Sequence, residues 1–417
     1  MAKLEALAEK KGAKPIEPRS KGYITFLVLF MGLVSLLDQY LSQIEGPAIP
    51  YIIEEFGVTA AEFALLQGIF GVIAFAVFFI AWFSDAFGRR KGILLLILTL
   101  GVPTLFIVFF SFNLYIFLLL YSIVIMGTVS NLWEIPVMEE APAEKRGLYG
   151  GIAFLIGLIP LFAILGTTIA ESIGWRWCYG VMFFYMIALV IMWTKMKEPQ
   201  RWEDAKEERQ HEFLKIRTAL KKLQRKDIQY ILISTITYTI WGISFKLGVS
   251  WGGYYYMNIV GYSPDEYRAI LTIGALLTMV GALLSGVLLD KLGRNGTMII
   301  GCGGSVVGFV GLGFTASPLF FWMIYLFMPV VLAWIMVYFG EIFPTEVRAT
   351  CVGVCATSAR SAYVIGPLLA FVLLVAFPDM VGFWIVGGLL MLIPILSIFM
   401  KPYETKGKTL EAIQEER

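Results

Sequence analysis

Hydrophobic positions fall along this chain in long blocks separated by short charged or glycine-containing turns, with neither the alternation of a half-buried strand nor the stripe of a surface helix. A helix that crosses hydrocarbon needs about 20 mainly apolar residues. Backbone groups in lipid must be satisfied within the segment, so blocks this long predict helices. Six are read at Tyr23–Ile44, Ala60–Phe83, Ile93–Phe110, Leu114–Met138, Gly151–Ala170 and Trp177–Trp193. Six more follow at Tyr230–Met257, Ile270–Leu289, Met298–Phe314, Leu319–Tyr338, Cys351–Ala376 and Val381–Met400. The pattern predicts an all-α membrane protein with twelve transmembrane helices in two six-helix bundles. Its parts are a tail at 1–22, a bundle at 23–194, a polar linker at 195–227, a second bundle at 228–400 and a tail at 401–417.

The turns repeat. FSDAFGRRKG follows the second block and LLDKLGRNG the eighth, so Asp85, Gly88 and Arg89 recur as Asp290, Gly293 and Arg294. EEAPAEKRG follows the fourth block and EIFPTEVRA the tenth, and both contain E-x-x-P-x-E-x-R: Glu139, Glu144 and Arg146, then Glu341, Glu346 and Arg348. The offsets are 205 and 202 residues. Two independent motifs at nearly one spacing predict a duplicated six-helix unit, the parallel repeat of a transporter with its site between the halves. Each D-x-x-G-R sits on a tight turn that glycine permits. Arg89 and Arg294 are expected to pair with Glu139 and Glu341 as a cytoplasmic gate. Glu144, Arg146, Glu346 and Arg348 are expected to add links between the halves. Such pairs break in each cycle, so they should be modest and partly solvated.

Composition agrees with the pattern: of 417 residues, 58% are hydrophobic and 15% charged. Soluble domains carry about 25% charge. A net charge of +2 gives no sign of a nucleic-acid partner. Of 33 Lys and Arg, all but Arg176, Lys246, Arg268 and Arg360 fall on one side of the predicted layout. By the positive-inside rule that side is the cytoplasm, which places both termini there. The single histidine, His211, and the dispersed cysteines Cys178, Cys302, Cys351 and Cys355 offer no metal site and no disulfide frame. The longest loop is too short for a catalytic domain and no glycine-rich phosphate loop occurs, so an enzyme and ATP drive are not expected.

Five ionisable residues lie inside the blocks: Asp38, Glu45, Glu134, Lys246 and Arg360. Each costs at least about 2.5 kcal/mol at a helix centre, so each needs a partner, water or a task. Arg360 falls about 15 Å into its block and Asp38 about 21 Å, both near the midplane, and Glu45 about 31 Å along, at the outer mouth. A midplane guanidinium grips a carboxylate or phosphate with two bonds, so Arg360, with Lys246, is the expected substrate contact, joined by Gln39 and Tyr40. Asp38 is the expected proton carrier, because passage between wet and dry surroundings loads and releases a proton. Arg360 is its expected partner, and Glu134 its relay. Glu45 reads as a solvated mouth residue. The aromatics Trp241, Trp251, Tyr254, Tyr255 and Tyr256 read as interfacial anchors in preference to a cation cage.

DAFGRRKG resembles the signature loop of the major facilitator superfamily, with Ala81 where the pattern usually has glycine; GWRW (Gly174–Trp177) and EIFPTEVRAT resemble it too. KEPQRW (Lys197–Trp202) and KPYETKGKTLEAI (Lys401–Ile413) are similar to flanking motifs of the sugar-porter branch. GEIFPTEVRATCVGVCATSAR (Gly340–Arg360) is similar to the branch of organic-ion and synaptic-vesicle-type transporters. The resemblance implies two bundles, alternating access and coupling to an ion gradient. The glutamines with which sugar porters read their substrate are missing from GISFKLGVSWGGYYY and GLYGGIAFLIGLIPLFAILG. The expectation is therefore a secondary active transporter of a small organic solute, driven by the proton gradient without a bound cofactor. It acts as a monomer in the lipid bilayer of the plasma membrane, and an organic anion such as a carboxylate is the foremost substrate. A sugar or polyol porter and an organic-cation carrier or exporter are the alternatives.

Overall fold

The computed structural model describes residues 19–128, 130–142, 145–200, 202, 225–343, 348–395, 404–408 and 410–416. Among the described residues nine helices are long and apolar enough to cross a membrane; Pro264–Thr315 among them holds two spans, and the shorter Leu114–Gly127 and Val381–Ile395 bring the spans to twelve. No strand occurs among the described residues. The protein is an all-α membrane protein with twelve transmembrane helices in two six-helix bundles related by an internal parallel repeat. Within Pro264–Thr315 the eighth and ninth spans part at Gly293, whose φ of 75° only glycine adopts readily. Its counterpart Gly88 has φ 117° between the second and third spans.

Several spans are broken where the sequence predicts continuity. The first runs from Lys21 to Gln43 and then from Glu45 to Phe56, well beyond the expected end at Ile44. Pro47 has no N–H for the Gln43 carbonyl four residues back, which interrupts the ladder there; proline is tolerated in the first turn of the segment that follows. Pro47 and Pro50 lie inside a continuing helix, so Glu45 sits in the span and not at its mouth. The fourth span stops at Gly127 and resumes at Glu134, whereas an unbroken helix to Met138 is predicted. Thr128 turns to extended backbone (ψ 155°) and Asn131 adopts φ 53°. Thr and Asn favour such exits because their side chains compete for backbone partners, and Thr128 Oγ1 donates back to the Ile125 carbonyl at 2.9 Å.

The breaks follow the repeat. The fifth span parts between Gly157 and Leu161, and the eleventh between Ala359 and Ala362, about the same offset as the turn motifs. Arg360 lies in that second break. The seventh span breaks at Trp251, within GVSWGG, and ends in a π-helical turn over Tyr255–Val260.

One face of the molecule, here the terminal face, carries Ser20, Glu198 and Glu404. Toward the opposite face the bundles press together: a Cβ on Gly71 of the second span would lie 2.2 Å from the Tyr363 carbonyl oxygen of the eleventh, and one on Gly46 of the first 2.6 Å from the Val249 oxygen of the seventh. Phe63 packs edge-on against Trp251, centroids 6.3 Å apart, and Arg268 donates to Thr168 at 2.8 Å. The terminal-face half is held apart by a cavity.

Candidate functional site

The cavity, about 470 Å³, lies between the bundles. The second span contributes Val77, Phe78 and Ala81; the break in the fourth contributes Ser130, Asn131 and Leu132. The other bundle supplies Tyr238, Trp241, Phe245 and Lys246 from the seventh span, Phe339 from the tenth, and Arg360 and Tyr363 from the eleventh. Its walls are mostly apolar and aromatic, and among the described residues its charged lining is two cations, Lys246 and Arg360. This is the pattern of a small-molecule site, in which a few polar groups fix orientation within apolar walls.

Both cations stand over one ring. Lys246 Nζ lies 5.0 Å and Arg360 Cζ 5.6 Å from the Tyr363 centroid. Arg360 is 7% exposed and donates through Nη1 to the Thr128 carbonyl at 2.8 Å. That carbonyl is available because the fourth helix breaks there, so the break in one bundle anchors the break in the other. Arg360 thus holds the broken end of the fourth helix from the opposite bundle. Lys246 Nζ lies 3.3 Å from Glu45 Oε2 of the other bundle. Glu45 is 1% exposed, accepts a bond from Ser250 Oγ at 2.9 Å and another from the Gln67 amide, and so is a buried, bridging acid, not a solvated one.

Asp38 is buried in the first span, and Glu134 is half-buried at the start of the resumed fourth helix. Neither lines the cavity, nor do Gln39 and Tyr40, although a cavity-lining face is expected for this part of the first span. Tyr40 Oη donates to the Cys178 carbonyl at 2.8 Å, inside its own bundle. The aromatics expected at a lipid interface are mostly interior: Trp241, Trp251, Tyr255 and Tyr256 are buried and Tyr254 half-buried. Trp241 lines the cavity while donating to the Met328 carbonyl at 2.9 Å.

On the terminal face the repeated motifs form two similar networks. Arg89 donates to Glu139 at 3.0 Å and pairs with Asp85; Arg294 donates to Glu341 through Nε at 3.1 Å and Nη2 at 2.5 Å. Asp290 is exposed, and Arg294 takes Glu341 in its place. Both pairs close within their own bundle. The side chains of Arg146 and Arg348, and the whole of Glu144 and Glu346, lie outside the described residues.

The networks include acids that sequence reasoning passed over. Glu198 accepts the Arg90 backbone N–H at 3.2 Å, and Glu404 those of Arg294 at 3.0 Å and Asn295 at 3.1 Å. Each carboxylate caps the helix after a D-x-x-G-R turn, where orphan N–H groups and the helix dipole favour an anion. A Cβ on Gly88 or Gly293 would strike Glu198 or Glu404, which adds a second demand for glycine there. Burial raises the Glu404 carboxyl, but the N–H donors of Arg294, Lys406 and Asn295, with the Arg294 charge, outweigh it and hold the group below the ordinary carboxylate range. The signal was legible in the offset alone: Glu198 in KEPQRW and Glu404 in KPYETK lie 206 residues apart, nearly the repeat spacing. Gln67 was legible too, as a lone amide in an apolar block.

A family model described as Major Facilitator Superfamily matches residues 28–339, and one described as Sugar (and other) transporter matches residues 316–416. The chain is 24% identical to a cis,cis-muconate transport protein of Acinetobacter baylyi, over 88% of each chain. It is 25% identical to a glucose transporter of Staphylococcus epidermidis, covering 80% of this chain and 83% of that one. It is also 25% identical to the human organic cation/carnitine transporter 2, covering 76% of this chain and 62% of that protein. Among solved structures, the crystal structure of a D-xylose-proton symporter superposes with a TM-score of 0.73 at 18% identity, over 93% of this chain and all of that one.

Proposed function

The chain belongs to the Major Facilitator Superfamily, and we propose that it is a proton-coupled symporter of a small organic anion, working by alternating access. The observation that carries this reading is the pair of cations, Lys246 and Arg360, on the lining of the inter-bundle cavity against the ring of Tyr363. A carboxylate between them accepts charge-assisted hydrogen bonds, each contributing about 1.5–3 kcal/mol. The apolar and aromatic walls suit a hydrocarbon or unsaturated body. The muconate carrier is a relative whose substrate has this character. A cation in the same place meets two positive charges, which disfavours the organic-cation reading.

The excess of lysine and arginine on the terminal face supports its assignment to the cytoplasm, with 1–22 and 401–417 as tails and 195–227 joining the bundles 23–194 and 228–400. The cavity then belongs to an inward-facing state, closed toward the outside by the contacts around Gly46 and Gly71. Asp38, buried within the first span, carries the proton, and Glu134 passes it inward. Arg89 with Glu139 and Asp85, and Arg294 with Glu341, stiffen each bundle on the cytoplasmic side so that it moves as a body. The protein acts as a monomer in the plasma membrane, the proton gradient being its only energy source.

Uptake into proteoliposomes with an imposed pH gradient tests the reading, with carboxylates, sugars and organic cations supplied separately. Carboxylate accumulation that follows the gradient is expected, with Arg360→Ala weakening half-saturation by about 10- to 100-fold. Gradient-independent uptake refutes proton coupling. Accumulation of sugars or cations without carboxylates refutes the substrate class, and uphill transport by Asp38→Asn refutes the carrier.

A further inference from the structure

Glu45 sits where the first span crosses the seventh. Its carboxylate faces three groups: Lys246 Nζ at 3.3 Å and Ser250 Oγ at 2.9 Å on the other bundle, and the Gln67 amide on its own. Next to it the two helices meet backbone to backbone. A Cβ on Gly46 would lie 2.6 Å from the Val249 oxygen, and a Cβ on Gly253 2.3 Å from the Gly46 oxygen. Glu45 is 1% exposed, whereas Lys246 also lines the large cavity and a second, small pocket shared with Gln67, Tyr121 and Tyr363. One ammonium thus borders two spaces, and its anion on the closed side belongs to the opposite bundle.

We propose that Glu45 is an internal stand-in for the anionic substrate: it holds Lys246 to latch the outer side shut, and a substrate carboxylate that takes Lys246 releases the latch. Binding from the cavity then loosens the one ion pair among the described residues that joins the bundles. Loss of Glu45 from Lys246 leaves a buried acid uncompensated, which favours separation of the helices and its rehydration. A neutral solute of the same size lacks the charge to compete, so the latch selects for anions at the step of opening as well as at binding. This inference rests on the anion reading above, but it concerns gating.

Spin labels at Ser172→Cys and Ala376→Cys, exposed positions on opposite bundles at the outer side, report the opening by double electron–electron resonance. The four native cysteines are buried. Without ligand, Glu45→Gln is expected to raise the outward-open fraction by about tenfold or more, for a lost interaction above 1.4 kcal/mol. Lys246→Met is expected to do the same, and the swap Glu45→Lys with Lys246→Glu to restore closure. Millimolar succinate or cis,cis-muconate is expected to move the wild-type distances in that direction, glucose is not, and neither acid is expected to move Glu45→Gln further. Unchanged distances in both single variants overturn the latch. If carboxylates are transported yet leave wild-type distances unmoved, displacement fails and the anion reading stands. If Glu45→Gln opens the outer side but no carboxylate is transported, the latch stands, and displacement fails with the anion reading.

Discussion

Replacing Gly71 by alanine tests whether the closed side depends on backbone contact. The added Cβ would fall 2.2 Å from the Tyr363 carbonyl oxygen and 2.9 Å from its carbon, against 3.4–4 Å for ordinary contact. The obstacle is main chain in the neighbouring helix and cannot rotate away, so the second and eleventh spans must part by about an ångström. Overpacking of this kind costs about 1–3 kcal/mol. That strain exists only while the outer halves touch, so it falls on the inward-facing state and is relieved in the outward-facing one. The ratio of inward- to outward-facing protein should drop by about 5- to 150-fold. A membrane-impermeant maleimide applied from the terminal side to Thr357→Cys, on the cavity lining, reads that ratio as a labelling rate. Gly303→Ala, whose Cβ meets nothing within 4 Å, is the control. Equal labelling of Gly71→Ala and Gly303→Ala refutes the argument.

Four further outcomes follow from the geometry. Tyr40→Phe removes a buried hydroxyl bond to the Cys178 carbonyl and should lower stability by about 1 kcal/mol while leaving half-saturation unchanged; a raised half-saturation constant restores Tyr40 as a substrate contact. Glu341→Gln loses a two-bond pair with Arg294 and should lower the melting temperature in detergent more than Asp290→Asn, which removes an exposed acid; equal effects refute the pairing. Glu404, held below the usual value of about 4.3, contributes stability above that pH and loses it as pH falls through its lower folded value. Glu404→Gln should therefore shrink the acid-dependent loss of stability below about pH 4.3, and an unchanged acid limb refutes this. Arg360→Lys keeps the charge but cannot reproduce the planar fork, so it should recover only part of the affinity lost in Arg360→Ala, and full recovery argues against two-bond recognition.

The parts legible in the sequence are those set by local composition or by repetition. Block length gives the spans, and the recurrence of Asp85-Gly88-Arg89 as Asp290-Gly293-Arg294 gives the two bundles, because glycine turns and their charges are local requirements. What escaped depends on where a helix stops being regular and on what the other bundle presents there. Pro47 and Pro50 look like a terminator, but proline breaks only the bond to the carbonyl four residues back, and a packed helix continues past it. A span ended at Ile44 puts Glu45 at the mouth, whereas about three further turns of helix, to Phe56, carry the chain beyond it. The break at Thr128 has no proline to announce it; its cause is a polar cluster, and its consequence, an available carbonyl under Arg360, lies 232 residues away in sequence. A depth count along an ideal helix ranked Asp38 above Glu45 as the acid to meet a membrane cation. The fold brings Glu45 to a cation by kinking the first span against the seventh, where a glycine lets it within reach of Lys246. Depth alone therefore sorts membrane charges poorly in a two-bundle protein, because the partner of each is fixed by the contact between bundles, and that contact changes through the cycle.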